Sequence, residues 1–197
     1  ADGIAMRGKT HPRFLSTQEA VTAAAEFAKA TTAHGDPTTV QGGPTVQDGP
    51  TVQSGPIVIA DVADNPGGGF PGDNTRVLRE LLAAKIENAA FACMWDPIVV
   101  SLAQAAGVGA RLKVRLGGKM GTLSDKPLDL EVEVLHLAEQ VQQRFGDAWV
   151  PLGDTALLRC EGIDIVVNTR RTQVFSPDAF QGAGVDPLSK RILALKS

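Results

Sequence analysis

Ile57-Val-Ile-Ala-Asp-Val-Ala-Asp-Asn-Pro-Gly-Gly-Gly-Phe-Pro-Gly-Asp-Asn-Thr-Arg-Val-Leu-Arg-Glu-Leu-Leu82, followed by Ala89-Ala-Phe-Ala-Cys-Met94, is the stretch on which the fold turns. Ile57–Ala60 is a short continuous apolar run, the pattern of a strand buried on both faces. A glycine-rich loop follows from Asn65 to Gly72. Asp73 or Asn74 is placed to cap a helix over about residues 74–86, whose apolar face carries Val77, Leu78, Leu81 and Leu82. Ala89–Met94 reads as a second buried strand. Strand, helix and strand in this spacing predict a βαβ unit with a parallel pair.

Downstream, Asp96-Pro97 starts a helix, with Asp as cap and Pro at the first helical position, and Gly107 stops it after Ala106. The pattern then changes. Arg111–Leu116 and Leu128–Leu135 alternate polar and apolar residues, as half-exposed strands do. Thr155–Arg159 and Ile163–Thr169 flank Glu161-Gly162, a hairpin signal. Ser176-Pro177 and Asp186-Pro187 each start a short helix, and Ile192–Leu195 makes a final strand. The fold class is therefore α/β to α+β: a short parallel βαβ unit followed by antiparallel strands and hairpins.

Upstream, Ser16 and Glu19 have capping-box spacing at the head of a helix over 16–31. Residues 36–56 repeat a Pro-Thr-Val-Gln unit with one apolar residue per copy, which reads as a flexible linker. Three segments follow: 1–35, a joining region with one helix; 36–56, the linker; and 57–197, the folded body. The chain begins with Ala1 instead of Met, so a fragment or a processed product is expected.

The 197 residues carry a formal net charge of −3 and no Lys/Arg-rich run, which argues against a nucleic-acid partner. No apolar stretch is long enough to span a bilayer, and the first residues lack a signal-peptide pattern, so a cytoplasmic location is expected. Cys93 and Cys160 both lie in apolar runs and read as buried reduced thiols.

Gly67, Gly69 and Gly72 match GxGxxG literally, after a strand and before a helix. Against dinucleotide binding, the strand's apolar run stops well short of Gly67. Pro71 removes an N–H that could face pyrophosphate, and Gly72 precedes the helix instead of lying inside it. Two other readings stand: a structural turn that uses glycine's positive φ, or a loop whose N–H groups point at an anionic or carbonyl group. Gly117-Gly118-Lys119 lacks P-loop spacing and reads as a β-turn with a surface lysine. No GxSxG occurs. Arg170 and Arg171 are adjacent; either could clamp a carboxylate, and on a strand they would face opposite sides.

The run Asp61–Thr75 resembles the signature of the C-terminal region of the MlrC-like (microcystinase C-like) zinc metallopeptidase family. Matching pieces come in order after it: Trp95-Asp96-Pro97, Gly107-Val-Gly-Ala110, Leu116-Gly-Gly-Lys119, Asp129-Leu130, Gly162–Val167, Arg170–Ser176 and Asp186-Pro187. Met6-Arg-Gly-Lys-Thr10 resembles the stretch that joins the family's two halves.

The resemblance implies a larger N-terminal domain that binds zinc through His and acidic residues, with this region packed on it. It also implies hydrolysis of a peptide or amide bond by a zinc-activated water in the full-length protein, as in the degradation of microcystin. This fragment alone is then expected to be inactive, with no catalytic residue, metal ligand or cofactor of its own. Its three histidines, His11, His34 and His136, show no ligand spacing. The expected partners are the missing metal-binding domain and a peptide-like substrate, with a homo-oligomer possible. The family pattern places Asp64, Asn65, Gly67, Gly68, Gly69, Asp73, Trp95, Asp96, Arg171, Thr172 and Gln173 at the substrate cleft or domain border. Two alternatives remain: a small-molecule, nucleotide or anion-binding module using the Gly67–Gly72 loop, or a structural or oligomerisation domain.

Overall fold

Ser16 and Glu19 do form the capping box: the Ser16 N–H donates to Glu19 Oε2 (2.8 Å) and the Glu19 N–H to Ser16 Oγ (3.3 Å). Helix α1 (Thr17–Ala33) runs from this cap. The computed structural model describes residues 14–33 and 55–197. The expected linker, the joining stretch Met6–Thr10, His11 and His34 lie outside the described residues.

The elements that follow are β1 (Ile57–Asp61), α2 (Arg76–Ala83), β2 (Ala89–Trp95), α3 (Pro97–Ala106), β3 (Arg111–Leu116), β4 (Leu128–Phe145), β5 (Ala148–Cys160), β6 (Ile163–Asn168), α4 (Asp178–Gln181) and β7 (Ile192–Lys196). All seven strands form one sheet in the order β1-β7-β2-β6-β5-β4-β3. Strands β1, β7, β2 and β6 are parallel, whereas β6, β5, β4 and β3 run antiparallel. The mixed α/β reading is therefore correct.

Three expectations need correction. β1 and β2 are parallel but not neighbours, because β7 lies between them. β1 is also an edge strand, not one buried on both faces: Val58 is 56% exposed. Only a central strand hides both faces, and β2 and β6 fill that role. Lastly, neither Asp73 nor Asn74 is the N-cap of α2; Thr75 is, without a side-chain cap bond. Asp73 instead turns its carboxylate to the loop after β3, while Asn74 Oδ1 accepts from the Arg76 N–H (2.8 Å).

Strand alternation sends side chains into two layers. On one face, α1, α2 and α3 cover Phe91, Met94, Leu116, Val134, Leu158, Ile163, Ile165 and Ile192. Leu78 and Leu81 of α2 are fully buried there, each contributing about 2–3 kcal/mol by burial. On the other face, α4 and its flanks bring Ala179, Phe180, Ala183 and Val185 onto Ala90, Cys93, Leu157, Val166 and Leu193. The β3–β4 end of the sheet carries exposed cross-strand ion pairs, Lys113–Glu131 and Arg115–Asp129. Glu161 and Gly162 both take positive φ (47° and 81°), which suits the tight β5–β6 turn.

Candidate functional site

The carboxyl ends of β1, β7, β2 and β6 share one edge of the sheet, where open α/β sheets hold their ligands. The loop after β1 folds over it. Two short 3-10 turns, Val62–Asp64 and Pro66–Gly68, separate the strand from the glycine turn. Asp64, 1% exposed, organises the loop. Its Oδ1 accepts from the Gly72 N–H and its Oδ2 from the Asn74 N–H, both at 2.8 Å. Lys196, at the end of β7, is fully buried beneath. Its ammonium reaches Asp61 Oδ2 (2.7 Å), Asp64 Oδ2 (2.8 Å) and the Asn74 carbonyl (2.7 Å), so three donors meet three acceptors.

The loop's own amides are turned inward. Gly68 N–H donates to the Asn65 carbonyl and to its side chain; Gly69 N–H donates to the Pro66 carbonyl, and Phe70 N–H to the Asn65 carbonyl. With the Gly72 and Asn74 amides held by Asp64, five N–H groups between Gly68 and Asn74 are taken. A pyrophosphate cradle needs such donors free.

Asp73 and Asp96, both buried, tie a second loop to this edge. Asp73 Oδ2 accepts from the N–H groups of Lys119 (2.7 Å) and Met120 (3.0 Å). Asp96 caps α3 through the Val99 N–H (3.3 Å), accepts from the Gly117 N–H (2.9 Å) and pairs with the Lys119 ammonium. Lys119 is therefore not a plain surface lysine. Gly117 has to be small: a Cβ there would lie 2.6 Å from the Asp73 carbonyl and 2.9 Å from Met94 Sδ.

Trp95 is fixed from two sides. Its N–H donates to the Gly72 carbonyl (2.9 Å) and its Nε1 to the Thr169 carbonyl (3.0 Å). The exposed Arg171 lays its guanidinium over the indole, 4.2 Å from the ring centre. Arg170 and Arg171 follow the end of β6 instead of lying on it, yet they do part: Arg171 packs toward Gly72, Arg170 toward Gly153. Gln173 reaches the loop, its Oε1 being 2.1 Å from where a Gly67 Cβ would stand. Thr172 is buried beside Gln143, whose side chain donates to the Gln173 carbonyl (2.7 Å) and accepts from the Phe175 N–H (2.8 Å).

Asp64, Asn65, Gly67, Gly68, Gly69, Asp73, Trp95, Asp96, Arg171, Thr172 and Gln173 thus gather along one edge. Sequence reasoning missed Lys196, Lys119 and Gln143, which hold that edge together. Each is a long polar side chain on or after a strand, and nothing local marks such a residue as buried, as Lys196 and Gln143 are, or as paired to a buried carboxylate, as Lys119 is.

These residues do not fit a metal ion. The paired oxygens of Asp61 and Asp64 face an ammonium and backbone N–H groups, and His136 is exposed on β4. Among the described residues, no cluster of three or more His, Cys, Asp or Glu could hold one. Both cysteines are free and buried, and burial pushes the Cys93 thiol up to about 12. No helix among the described residues is long and apolar enough to cross a membrane.

The fold and the edge define an α/β domain that carries an organised polar border. The sequence profile of the MlrC C-terminus family matches residues 59–197, and the chain belongs to that family. It is 39% identical over 141 residues to Microcystinase C from a Sphingomonas species, a match covering 72% of this chain and 28% of that protein. A solved structure of a candidate metallopeptidase from Mesorhizobium sp. BNC1 superposes with a TM-score of 0.73 at 21% identity, over 97% of this chain and 34% of that one. At that identity the likeness shows the fold alone. The chain spans about a third or less of the length of these relatives.

Proposed function

We propose that this chain is the non-metal-binding C-terminal domain of an MlrC-like zinc metallopeptidase. In this reading it supports a catalytic domain lying outside the sequence and forms one wall of the substrate cleft. The observation that carries the reading is the convergence of the Gly67–Gly69 loop, Trp95 and Arg171–Gln173 on the sheet's carboxyl edge, in a chain of this family. Zinc bound by the missing domain would supply the activated water. This chain's residues shape the wall: Asp64 and Lys196 fix the glycine loop, Asp96 and Lys119 fix the loop beside it, and Gln143 braces the segment carrying Thr172 and Gln173. The experiment joins an N-terminal domain from a relative to the 197-residue chain. Zinc-dependent peptide cleavage that neither part shows alone is expected; cleavage by the isolated upstream domain at the same rate would sink the reading.

A second reading, an association surface, has its own support. Phe14, Leu15, Phe27, Val58 and Val62 are exposed around a groove of about 570 Å³ between α1 and the edge strand β1. Light scattering over a hundredfold concentration range tests it: a mass that stays that of one chain removes self-association.

A further inference from the structure

We propose that Arg171 anchors a carboxylate of the substrate peptide. This assignment rests on the cleft-wall reading above and names the chemistry that the wall recognises.

Most acidic groups of the carboxyl edge already hold a cation or backbone N–H groups. Asp61 and Asp64 meet Lys196, Asp96 meets Lys119, and Asp73 holds two backbone N–H groups. Among the basic groups, Arg170 and Arg171 are the exceptions, and of the two only Arg171 packs against the glycine loop, Arg170 lying toward Gly153. Among the described residues no carboxylate lies within ion-pair distance of the Arg171 guanidinium. The group is exposed, yet it is not loosely held. It stacks 4.2 Å above the Trp95 ring, and that ring is itself fixed by the Thr169 carbonyl. A Cβ on Gly72 would lie 3.8 Å from Arg171 Cγ and 3.6 Å from Trp95 Cβ. The stem thus runs in contact with the loop's backbone. A guanidinium stacked on an indole keeps its in-plane N–H fork available, and that fork matches a carboxylate with two parallel hydrogen bonds. The stacking also lowers the entropy lost when a ligand is gripped.

The neighbourhood selects a single carboxylate over a phosphate. Five of the nearby loop amides are already paired, as described above, so few backbone donors remain beside the Arg171 fork for a phosphate's additional oxygens. Gln173 and Gly67 lie alongside and offer neutral polar contacts to a peptide backbone. The carboxylate can be the peptide's C-terminus or an acidic side chain, because both present the same oxygen pair.

The test titrates the 197-residue chain with three peptides: N-acetyl-alanyl-glutamine with a free C-terminus, N-acetyl-alanyl-glutamate amide, and the neutral N-acetyl-alanyl-glutamine amide. The readout is the Trp95 indole N–H resonance, assigned with Trp149→Phe. A saturable shift with Kd on the order of millimolar is expected for a carboxylate peptide, as one charge-assisted pair provides. Whichever of the two binds identifies the source of the carboxylate. Arg171→Gln should weaken binding about tenfold, Arg171→Lys less, and Arg170→Gln should bind like the parent chain. Since Arg171 is exposed, the variants keep the fold, which the remaining resonances verify. Equal binding of the neutral peptide, unchanged binding in Arg171→Gln, or no shift with either carboxylate peptide overturns the assignment. Failure of the domain-joining experiment counts against the peptidase reading alone, because these shifts are read without catalysis.

Discussion

Lys196 brings three N–H donors to a place that water does not reach, and it finds three oxygens there. Removing one partner of a buried pair leaves the other charge uncompensated. Lys196→Met should therefore cost about 3–5 kcal/mol, read as a lower urea midpoint. An unchanged midpoint would show that Asp61 and Asp64 do not depend on the ammonium. The glycines make a sharper contrast. Gly118 has φ 64°, and its Cβ would stand 2.3 Å from the Pro127 nitrogen, in rigid backbone. Gly67 lies outside the positive-φ set, and its Cβ would meet the movable end of Gln173. Gly118→Ala should cost about 2–4 kcal/mol and Gly67→Ala less than about 1 kcal/mol, compared by their urea midpoints. Asp96 was legible in the sequence because Asp-Pro is a local signal. Lys196 was not: a lysine closing an apolar run looks like a solvated strand end until the topology buries it.

Elements were legible where their signals are local. The Ser16–Glu19 box, the Asp96-Pro97 start, the Gly107 stop and the Glu161-Gly162 turn each depend on residues a few positions apart. Pairing was less legible. Nothing in Ile57–Ala60 says that β7 will separate it from β2, and a run of four apolar residues does not distinguish an edge from a centre. β4 also runs to Phe145, ten residues beyond the clean alternation that ends at Leu135, because register shifts against β5 break the two-residue period. That long hairpin reaches the candidate site through Gln143, which is fully buried. Gln143→Leu leaves the Phe175 N–H without its partner and the Gln173 carbonyl with only the Thr172 hydroxyl, at about 1–3 kcal/mol. The Phe175 amide should then exchange with deuterium faster than in the parent chain. Unchanged protection would assign the brace to the Phe145–Phe175 ring contact instead.

At the scale of the molecule, the sheet separates two apolar layers, and each holds one thiol: Cys160 in the layer under the first three helices, Cys93 in the layer under α4. Burial raises both thiols, Cys93 to about 12. Thiol-exchange reagents should therefore modify neither cysteine in the native chain except through opening, and both at once in urea. Fast modification of one alone would mark a layer that opens independently. Asp164 makes one contribution to stability that depends on pH. Burial works to raise its carboxyl, but hydrogen bonds from Arg159 and Lys190 outweigh that and hold it below its ordinary value of 3.8. A depressed carboxylate stabilises the fold above its unfolded pKa, and this contribution fades as pH falls through and below that value. Asp164→Asn should cost about 1–3 kcal/mol at neutral pH, reduced from the fully buried case because Arg159 is half exposed. The difference from the parent chain should shrink as pH falls below 3.8. A gap that stays constant across this range would dismiss the ion pairs as its source.

The placement of β7 also bears on how the protein is made. A ribosome delivers the chain from its first residue, so β1 and β2 emerge long before the strand that joins them. Until Ile192–Lys196 clears the exit tunnel, β1 lacks its partner among the described strands, β2 lacks one of its two, and the cation that neutralises Asp61 and Asp64 is missing. The five residues of β7, made after the other six strands described, thus close the sheet and its polar edge in one event, and a stop codon just before them would release a chain unable to do either.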